Sequence, residues 1–350
     1  MILEGICWAV GTREEQQDFF GFSDPNDADF IKHGGRLSIV CDGMGGLENG
    51  QEASHCAVET FLEAYRKKSP NESIPDALYR SVNFANKRVL EMAESFGQVE
   101  NCGSTLVAAV VHNDSLYWIS VGDSHVYLCR NKELCLLNEE HVYANKLQAA
   151  VKRGLLYQEE ADFHPDREAL TSYIGIPELN EISSGTEERE IIDGAGVMLC
   201  SDGLSKVLSM EEMSAVFDID PNQWAINLVE ATLSKKRTHQ DNVTVTILRR
   251  ERSQQQVKKV NKKKLKINKL FIVLMIALVF GFCYILILSS GSLTDTTFES
   301  ITPLASNDLA DSVSESLTSI VSDDLNGLNS VISPASDDSF DPSHENGTQR

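Results

Sequence analysis

The sequence predicts an α+β fold in which mainly antiparallel sheets are covered by helices, followed by a single transmembrane helix. Within residues 1–250, short apolar runs rich in β-branched and aromatic residues alternate with longer stretches of helical character. Farther along, nineteen consecutive residues carry no charge. The short runs predict strands, the longer stretches predict helices, and the uncharged segment predicts a membrane span.

Seven apolar runs give the predicted strands: 6–10, 36–41, 104–112, 115–121, 125–130, 196–200 and 242–248. Two long helices are predicted at about 51–68 and 74–96. Asn113 and Asp114 separate two of the runs, and this pair is typical of a hairpin turn, so the flanking strands should be antiparallel. Consecutive strands with helices gathered in pairs argue against a doubly wound parallel sheet.

Charge divides the chain into regions of different physical character. The net charge of −21 argues against nucleic acid as a partner, because phosphate contacts need clustered Lys and Arg. Residues 1–250 carry a net −18 and are predicted to form the globular domain, whereas residues 251–269 carry a net +7 and form a Lys-rich linker. The Ser-rich tail, 289–350, carries a net −10 and is predicted to be disordered.

Residues 270–288 are predicted to cross a membrane as one helix. At about 1.5 Å per residue the segment would reach about 28 Å, close to the thickness of a bilayer's hydrocarbon core. A buried core helix is the alternative, but helices of soluble domains rarely run this long without a polar face.

The flanks of this span predict its orientation. Seven Lys residues lie just before it and none lies after it, so residues 1–269 are expected in the cytoplasm and the tail outside. The Lys run could instead contact nucleic acid, but its place beside the span favours anionic lipid headgroups. The N-terminus lacks a basic segment followed by an apolar run, so no cleaved signal peptide is expected.

Four aspartates lie directly beside predicted strands: Asp42, Asp123, Asp202 and Asp241. A strand end fixes a carboxylate better than a loop does, and several strand ends can converge at one edge of a sheet. Converging carboxylates repel each other unless cations lie between them, and an all-carboxylate, water-rich site suits Mg²⁺ or Mn²⁺. The glycine after Asp42 lets its own carbonyl approach an ion closely. Taken alone, each Asp-Gly pair is more often a turn than a metal site.

Six short motifs follow one another in order. They are Arg13-Glu14-Glu15-Gln16-Gln17-Asp18, Asp42-Gly43-Met44-Gly45-Gly46, Gly103-Ser104-Thr105, Val121-Gly122-Asp123-Ser124, Cys200-Ser201-Asp202-Gly203-Leu204 and Asp241-Asn242-Val243-Thr244. The set resembles the metal-dependent protein phosphatases of type 2C, especially their bacterial branch, over about residues 5–249. The resemblance implies a four-layer α/β/β/α sandwich of two mainly antiparallel sheets, with two catalytic Mg²⁺ or Mn²⁺ ions at one end.

The same resemblance implies how the ions are bound. Asp42 would bridge both ions, and the carbonyl of Gly43 would bind one of them. Asp202 and Asp241 would bind the other ion. Asp18 would hold coordinated water.

Two further residues match the family's functional positions. Asp123 lies where many members bind a third, weaker ion, and Arg13 lies where they bind the substrate phosphate. The expected reaction is hydrolysis of phosphoserine and phosphothreonine in proteins by a water activated between two ions. Eukaryotic members place a histidine, their proposed general acid, where this sequence has Met44, which cannot donate a proton.

The expected partner is a phosphorylated protein, and the enzyme would oppose a Ser/Thr kinase at the cytoplasmic face of a bacterial membrane. A catalytically silent pseudophosphatase that binds phosphoproteins is the alternative, and narrow specificity for one phosphorylated regulator is a third possibility. A cysteine-dependent phosphatase is disfavoured because none of the eight cysteines is followed by a glycine-rich loop ending in Arg. Without a Cys-x-x-Cys pair, the cysteines are predicted to be reduced thiols, several of them buried.

Overall fold

The strands of the computed structural model form two five-stranded sheets. The structure describes residues 1–44, 49–99, 101–188 and 191–251. In chain order the strands are β1 (Ile2–Ala9), β2 (Asp18–Phe22), β3 (Arg36–Asp42), β4 (Leu106–His112), β5 (Ser115–Val121), β6 (His125–Arg130), β7 (Glu133–Leu136), β8 (Ser183–Glu187), β9 (Gly196–Cys200) and β10 (Val243–Arg250). The first sheet has the order β1-β10-β9-β6-β7 and the second β2-β3-β4-β5-β8. Every pairing in them is antiparallel, which confirms the predicted sheet type.

Eight helices accompany these strands in the described part of the chain. They are α1 (Ala28–Gly34), α2 (Gly50–Arg66), α3 (Ile74–Phe96), α4 (Tyr143–Lys152), α5 (Gln158–Asp162), α6 (Asp202–Ser205), α7 (Met210–Ala215) and α8 (Pro221–Ser234). The two long helices predicted from the sequence correspond to α2 and α3. Ser73 caps α3 by accepting the amide of Asp76, Pro75 lies in the first turn, and Gly97 ends the helix in the left-handed conformation.

Three apolar clusters show that the elements stack in four layers. One cluster joins the outer face of the second sheet to α2 and α3 and includes Leu37, Phe61 and Val82. Another joins the first sheet to α8 around the fully buried Trp224. The third lies between the sheets and includes Val40. Helices therefore cover both outer faces of the sandwich, as the resemblance implied.

Side chains along the central strands point alternately to the two faces of the sheet, and this alternation creates the layers. On β3, Leu37 and Ile39 face the helices whereas Val40 faces the other sheet, because successive side chains of a strand point to opposite sides. Ser38 also faces inward, where its hydroxyl donates to Thr246 Oγ1 at 2.6 Å. This buried hydrogen bond joins β3, which ends at Asp42, to β10, which begins two residues after Asp241.

Several elements differ from the sequence prediction. β2, β7 and β8 were not predicted, and β1 starts at Ile2 rather than residue 6. β1 is longer because residues 2–5 also pair with β10, and Gly5 in this part of the strand lies against the first turn of α8, where a Cβ would stand 2.1 Å from the carbonyl oxygen of Pro221. The glycine at this position lets the helix approach the strand closely.

The predicted span, 270–288, the linker from residue 252 and the tail 289–350 lie outside the described residues. Among the helices that the structure describes, none combines the length and the apolar character that a membrane crossing requires. Seven cysteines lie in the described ranges and all are unpaired, four of them buried.

Candidate metal centre

The aspartates singled out from the sequence lie at one end of the two stacked sheets. Asp18 begins β2 and stands opposite Asp42, which ends β3. Asp241 comes two residues before β10, and Asp202 follows β9, its antiparallel neighbour. Because β3 and β10 are packed face to face through Ser38 and Thr246, the strand ends bring carboxylates separated by up to 223 residues into one place.

Backbone hydrogen bonds fix the position of Asp42. Its amide donates to Thr105 Oγ1 at 3.0 Å, and its carbonyl accepts from the amide of Thr105 at 2.8 Å and from Ser104 Oγ at 2.9 Å. The next residue, Gly43, donates its amide to the carbonyl of Gln17 at 3.0 Å. A Cβ at Gly43 would lie 2.1 Å from the carbonyl oxygen of Gly50, so only glycine fits here. The predicted metal-binding carbonyl therefore belongs to a residue that is held by Gln17 and forms a β-bridge with Ser104.

Asp18 is almost completely buried, at 3% exposure. Its Oδ2 accepts a hydrogen bond from Ser201 Oγ at 2.8 Å, whereas its Oδ1 has no hydrogen-bond partner among the described residues. Asp202 likewise has a buried Oδ1 without such a partner. A buried carboxylate oxygen without a donor is costly, and a bound cation or its coordinated water removes that cost. This is the observation that fits a divalent ion to the cluster.

Burial, together with mutual repulsion, raises the pKa values of these carboxyl groups. Burial, followed by the charges of Asp202 and Asp241, raises the pKa of Asp18 to about 7, although the hydroxyls of Ser201 and Thr244 oppose the change. Burial, followed by the charges of Asp18 and Asp202, raises the pKa of Asp42 well above its usual range. Raised carboxylate pKa values mark a site that favours positive charge, either protons or metal ions.

Two side chains of the protein already supply positive charge at the site. Arg13 Nη2 lies 2.8 Å from Asp241 Oδ2 at the exposed rim. Lys206 Nζ lies 2.6 Å from Asp202 Oδ2 and 3.0 Å from Asp123 Oδ2. Burial alone would lower the pKa of Lys206, but the charges of Asp202 and Asp123 raise it well above its usual value. The ammonium is therefore charged throughout the physiological range.

The turn that carries Asp123 is held by a histidine. Gly122 has a φ of +100°, which favours glycine, and its amide donates to His141 Nδ1 at 3.0 Å. The amide of His141 donates in return to the carbonyl of Gly122 at 2.9 Å. His141 is buried, and burial lowers its pKa. The imidazole therefore positions the segment that carries Asp123 from inside the fold.

Asn242 connects the loop of Arg13 to β10, a role that the sequence reasoning missed. Its Oδ1 accepts the amide of Gln17 at 2.8 Å, and its Nδ2 donates to the carbonyls of Val10 and Glu15 at 2.9 and 3.0 Å. The Asp-Asn pair before a strand was visible in the sequence, but only the Asp was interpreted. An amide side chain can satisfy three backbone groups at once, which explains why this residue suits the position.

All the expected site side chains except that of Asp18 line one open cavity of 410 Å³. Its lining consists of Arg13, Asp42, Met44, Thr105, Asp123, Glu168, Leu170, Tyr173, Asp202, Lys206 and Asp241. Within residues 1–44, 49–99, 101–188 and 191–251, no three carboxyl, thiol or imidazole groups lie close enough together to hold an ion unaided.

Sequence comparison relates this chain to phosphatases. The family model described as Protein phosphatase 2C matches residues 13–226. The serine/threonine phosphatase stp of Listeria monocytogenes is 28% identical over 223 residues, which are 62% of this chain and 86% of that protein. The serine/threonine protein phosphatase PstP of Mycobacterium tuberculosis is 30% identical over 227 residues, 63% of this chain and 42% of that protein.

Comparison with solved structures also relates this chain to serine/threonine phosphatases. The S. agalactiae serine/threonine phosphatase has a TM-score of 0.61 and 26% identity, covering 72% of this chain and 100% of that one. The phosphatase PstP/Ppp of Mycobacterium tuberculosis has a TM-score of 0.58 and 25% identity, covering 71% of this chain and 99% of that one. The catalytic domain of PstP in complex with two manganese ions shares the fold at a TM-score of 0.55 and 23% identity, covering 71% of this chain and 97% of that one.

Proposed function

Since the chain belongs to the protein phosphatase 2C family, we propose that its two-sheet domain hydrolyses phosphoserine and phosphothreonine in proteins with the help of divalent metal ions. It is a protein-serine/threonine phosphatase, the activity for which its relatives in Listeria and Mycobacterium are named. One observation carries the chemical part of the proposal. Four aspartates from distant elements face a single cavity, and one of them, Asp202, and the neighbouring Asp18 each bury a carboxylate oxygen that lacks a hydrogen-bond partner among the described residues.

The donor set suits two ions bound largely through water. Asp42, the carbonyl of Gly43, Asp202 and Asp241 would hold the two ions between them, and water would complete the coordination. Asp18, deep in the site, would orient water through its free Oδ1. When bound, such ions polarise a water for in-line attack on phosphorus and neutralise the charge that develops on the phosphate. Mn²⁺ or Mg²⁺ fits this all-oxygen set.

Arg13 is placed to bind the substrate phosphate. It lies at the rim of the cavity with its side chain 44% exposed, so its guanidinium can reach an incoming phosphate. The planar guanidinium can donate two parallel hydrogen bonds to phosphate oxygens. Met44 lies in the lining but carries no proton to donate to the leaving alkoxide. Of the described residues that line this cavity none is a cysteine, which favours direct attack by water over a phosphocysteine intermediate.

Hydrolysis of a phosphothreonine peptide by the full-length chain tests the function. We expect activity with Mn²⁺ that disappears with excess EDTA and falls by more than 10³-fold in Asp42→Asn and Asp202→Asn. Asp29→Asn is the matched control, since the Asp29 side chain is 95% exposed on α1 and, among the described residues, forms an ion pair with Lys32 alone. Inactivity with both metals on a panel of phosphopeptides, in a protein that still unfolds cooperatively, would support the silent phosphoprotein-binding alternative instead.

We also propose that the phosphatase is tethered to a membrane by residues 270–288, with residues 1–269 in the cytoplasm and the tail outside. The support is the sequence alone, nineteen uncharged residues that follow seven Lys residues. The same location suggests that the enzyme opposes a Ser/Thr kinase acting at the membrane. A topology reporter fused after Leu288 should be active only outside the cytoplasm. Cytoplasmic activity of that fusion would contradict the orientation.

A further inference from the structure

We propose that Lys206 is a built-in cation that takes the place of a third metal ion between Asp123 and Asp202, so that this centre holds only two divalent ions. The resemblance implied a third, weaker ion at Asp123, and the arrangement of side chains disagrees with that expectation. The inference rests on the proposed function, because it presupposes a two-ion centre beside Lys206.

The geometry places the ammonium where such an ion would bind. Asp202 starts the single turn of α6 and Lys206 follows it by four residues, so both side chains lie on the same face. Asp123 comes from a different element, the turn after β5. Nζ of Lys206 lies 2.6 Å from Asp202 Oδ2 and 3.0 Å from Asp123 Oδ2. An ion shared by these two carboxylates would occupy the same small space as Nζ.

The burial of Asp123 and Asp202 stabilises their ion pairs with Lys206. The side chain of Asp123 is only 8% exposed and that of Asp202 17%. Nζ is the only side-chain cation that the structure places on Asp123 within the described residues. If the Lys206 side chain turned outward, it would leave a buried carboxylate without its counter-charge. A divalent ion that bound beside the ammonium would instead meet its repulsion at close range.

The charge of the whole cluster agrees with two ions. Asp18, Asp42, Asp123, Asp202 and Asp241 provide five carboxylates, and Arg13 and Lys206 provide two cations, which leaves three negative charges if all these groups are ionised. Glu168, which also lines the cavity, is exposed and is neutralised by Arg167 at 3.0 Å. Two divalent ions convert this to one positive charge, which suits an anionic phosphate ester. A third ion would add two more positive charges next to an ammonium that already satisfies its ligands.

Counting bound Mn²⁺ on the full-length chain by electron paramagnetic resonance tests the role of Lys206. We expect two ions per chain at saturation for wild type and for Lys206→Arg, which keeps the charge. Lys206→Asp should bind three, because it replaces the ammonium with another carboxylate facing Asp123. Lys206→Gln removes the charge with little change in size, and should also admit a third ion at millimolar Mn²⁺. Lys67→Gln, at the exposed residue just after α2, is the matched control and should bind two.

Two results would overturn the inference. One is a third ion bound by wild type with the same affinity as by Lys206→Asp. The other is a count of two in both Lys206→Asp and Lys206→Gln while each remains folded by near-ultraviolet circular dichroism. A wild-type chain that binds no Mn²⁺ at all would overturn the metal centre itself, so the two failures are distinguishable.

Discussion

Replacing Asp18 with Asn should stabilise the metal-free protein. Asp18 is 3% exposed, and its pKa is raised from the usual 3.8 to about 7 by burial and by neighbouring carboxylates. That difference corresponds to at most about 4 kcal/mol of destabilisation by the ionised group. Protons on Asp42 relieve part of the same repulsion, and Asn still accepts the hydrogen bond from Ser201. We therefore expect a gain of about 2 kcal/mol in the free energy of unfolding at pH 8 without metal.

The gain should depend on pH in a defined direction. Between about pH 4 and pH 7 the folded chain keeps a proton on Asp18 that the unfolded chain releases. Protonation therefore favours the folded state, and this group makes the wild type less stable as the pH rises through that range. The Asn variant has no such proton. Its advantage should be absent below pH 4, grow towards pH 7 and stay constant above it.

Urea unfolding of the full-length chain, followed by the fluorescence of buried Trp224, measures the effect in EDTA and in Mn²⁺. Mn²⁺ should stabilise the wild type more than Asp18→Asn, because the variant loses part of the binding site. Asp29→Asn, an exposed acid, is the control and should change stability by less than about 0.5 kcal/mol. The reasoning is wrong if Asp18→Asn in EDTA is no more stable than wild type at pH 8, or if its advantage is larger at pH 5 than at pH 8.

Three further substitutions probe the scaffold and the substrate contact. Gly203→Ala should lower Mn²⁺-dependent activity at least tenfold and destabilise the fold by about 1–3 kcal/mol, because a Cβ would lie 1.9 Å from the carbonyl oxygen of Asn242. Wild-type kinetics and a wild-type urea midpoint in this variant would contradict the prediction. Ser38→Ala should cost about 1–2 kcal/mol in urea unfolding, because it leaves the Thr246 hydroxyl unpaired between the sheets. Adding Thr246→Val should recover part of that loss, and full additivity of the two changes would argue against the pairing. Arg13→Ala should lower kcat/KM for a phosphopeptide about 10²-fold with partial recovery in Arg13→Lys, and an unchanged kcat/KM in Arg13→Ala would exclude a phosphate contact.

The fold was predictable where a local signal and the tertiary structure agree. The bounds predicted for β5, β6 and β9 are those observed, because each is a short apolar run ended by a turn. The bounds of α3 are also those predicted, since a serine cap, an early proline and a terminal glycine mark them. β8, with the sequence Ser-Ser-Gly-Thr-Glu, has no apolar pattern and forms a strand only by pairing with β5. Such an edge strand is created by its neighbour, which a local pattern does not reveal.

The site was predictable in its carboxylates but not in its cations. Aspartates at strand ends could be read from the sequence because a strand end fixes their position. The contact of Arg13 with Asp241 joins residues 228 apart, so no local pattern indicates it. Lys206 did leave a signal, namely a basic residue four positions after Asp202 in a segment able to form one helical turn. That spacing was not used, and Asp123 was therefore interpreted only as a metal ligand.

The direction of β10 places the carboxylate cluster and the end of the described chain at opposite ends of the sandwich. Asp241 lies just before the strand, whereas the chain leaves the sandwich after Arg250, where the amide of Glu251 donates to the carbonyl of Met1. Eight residues of strand at about 3.3 Å each separate the two ends by about 25 Å. The described chain therefore ends at the pole of the sandwich opposite the carboxylate cluster, so changes made at Glu251 should leave that cluster in place.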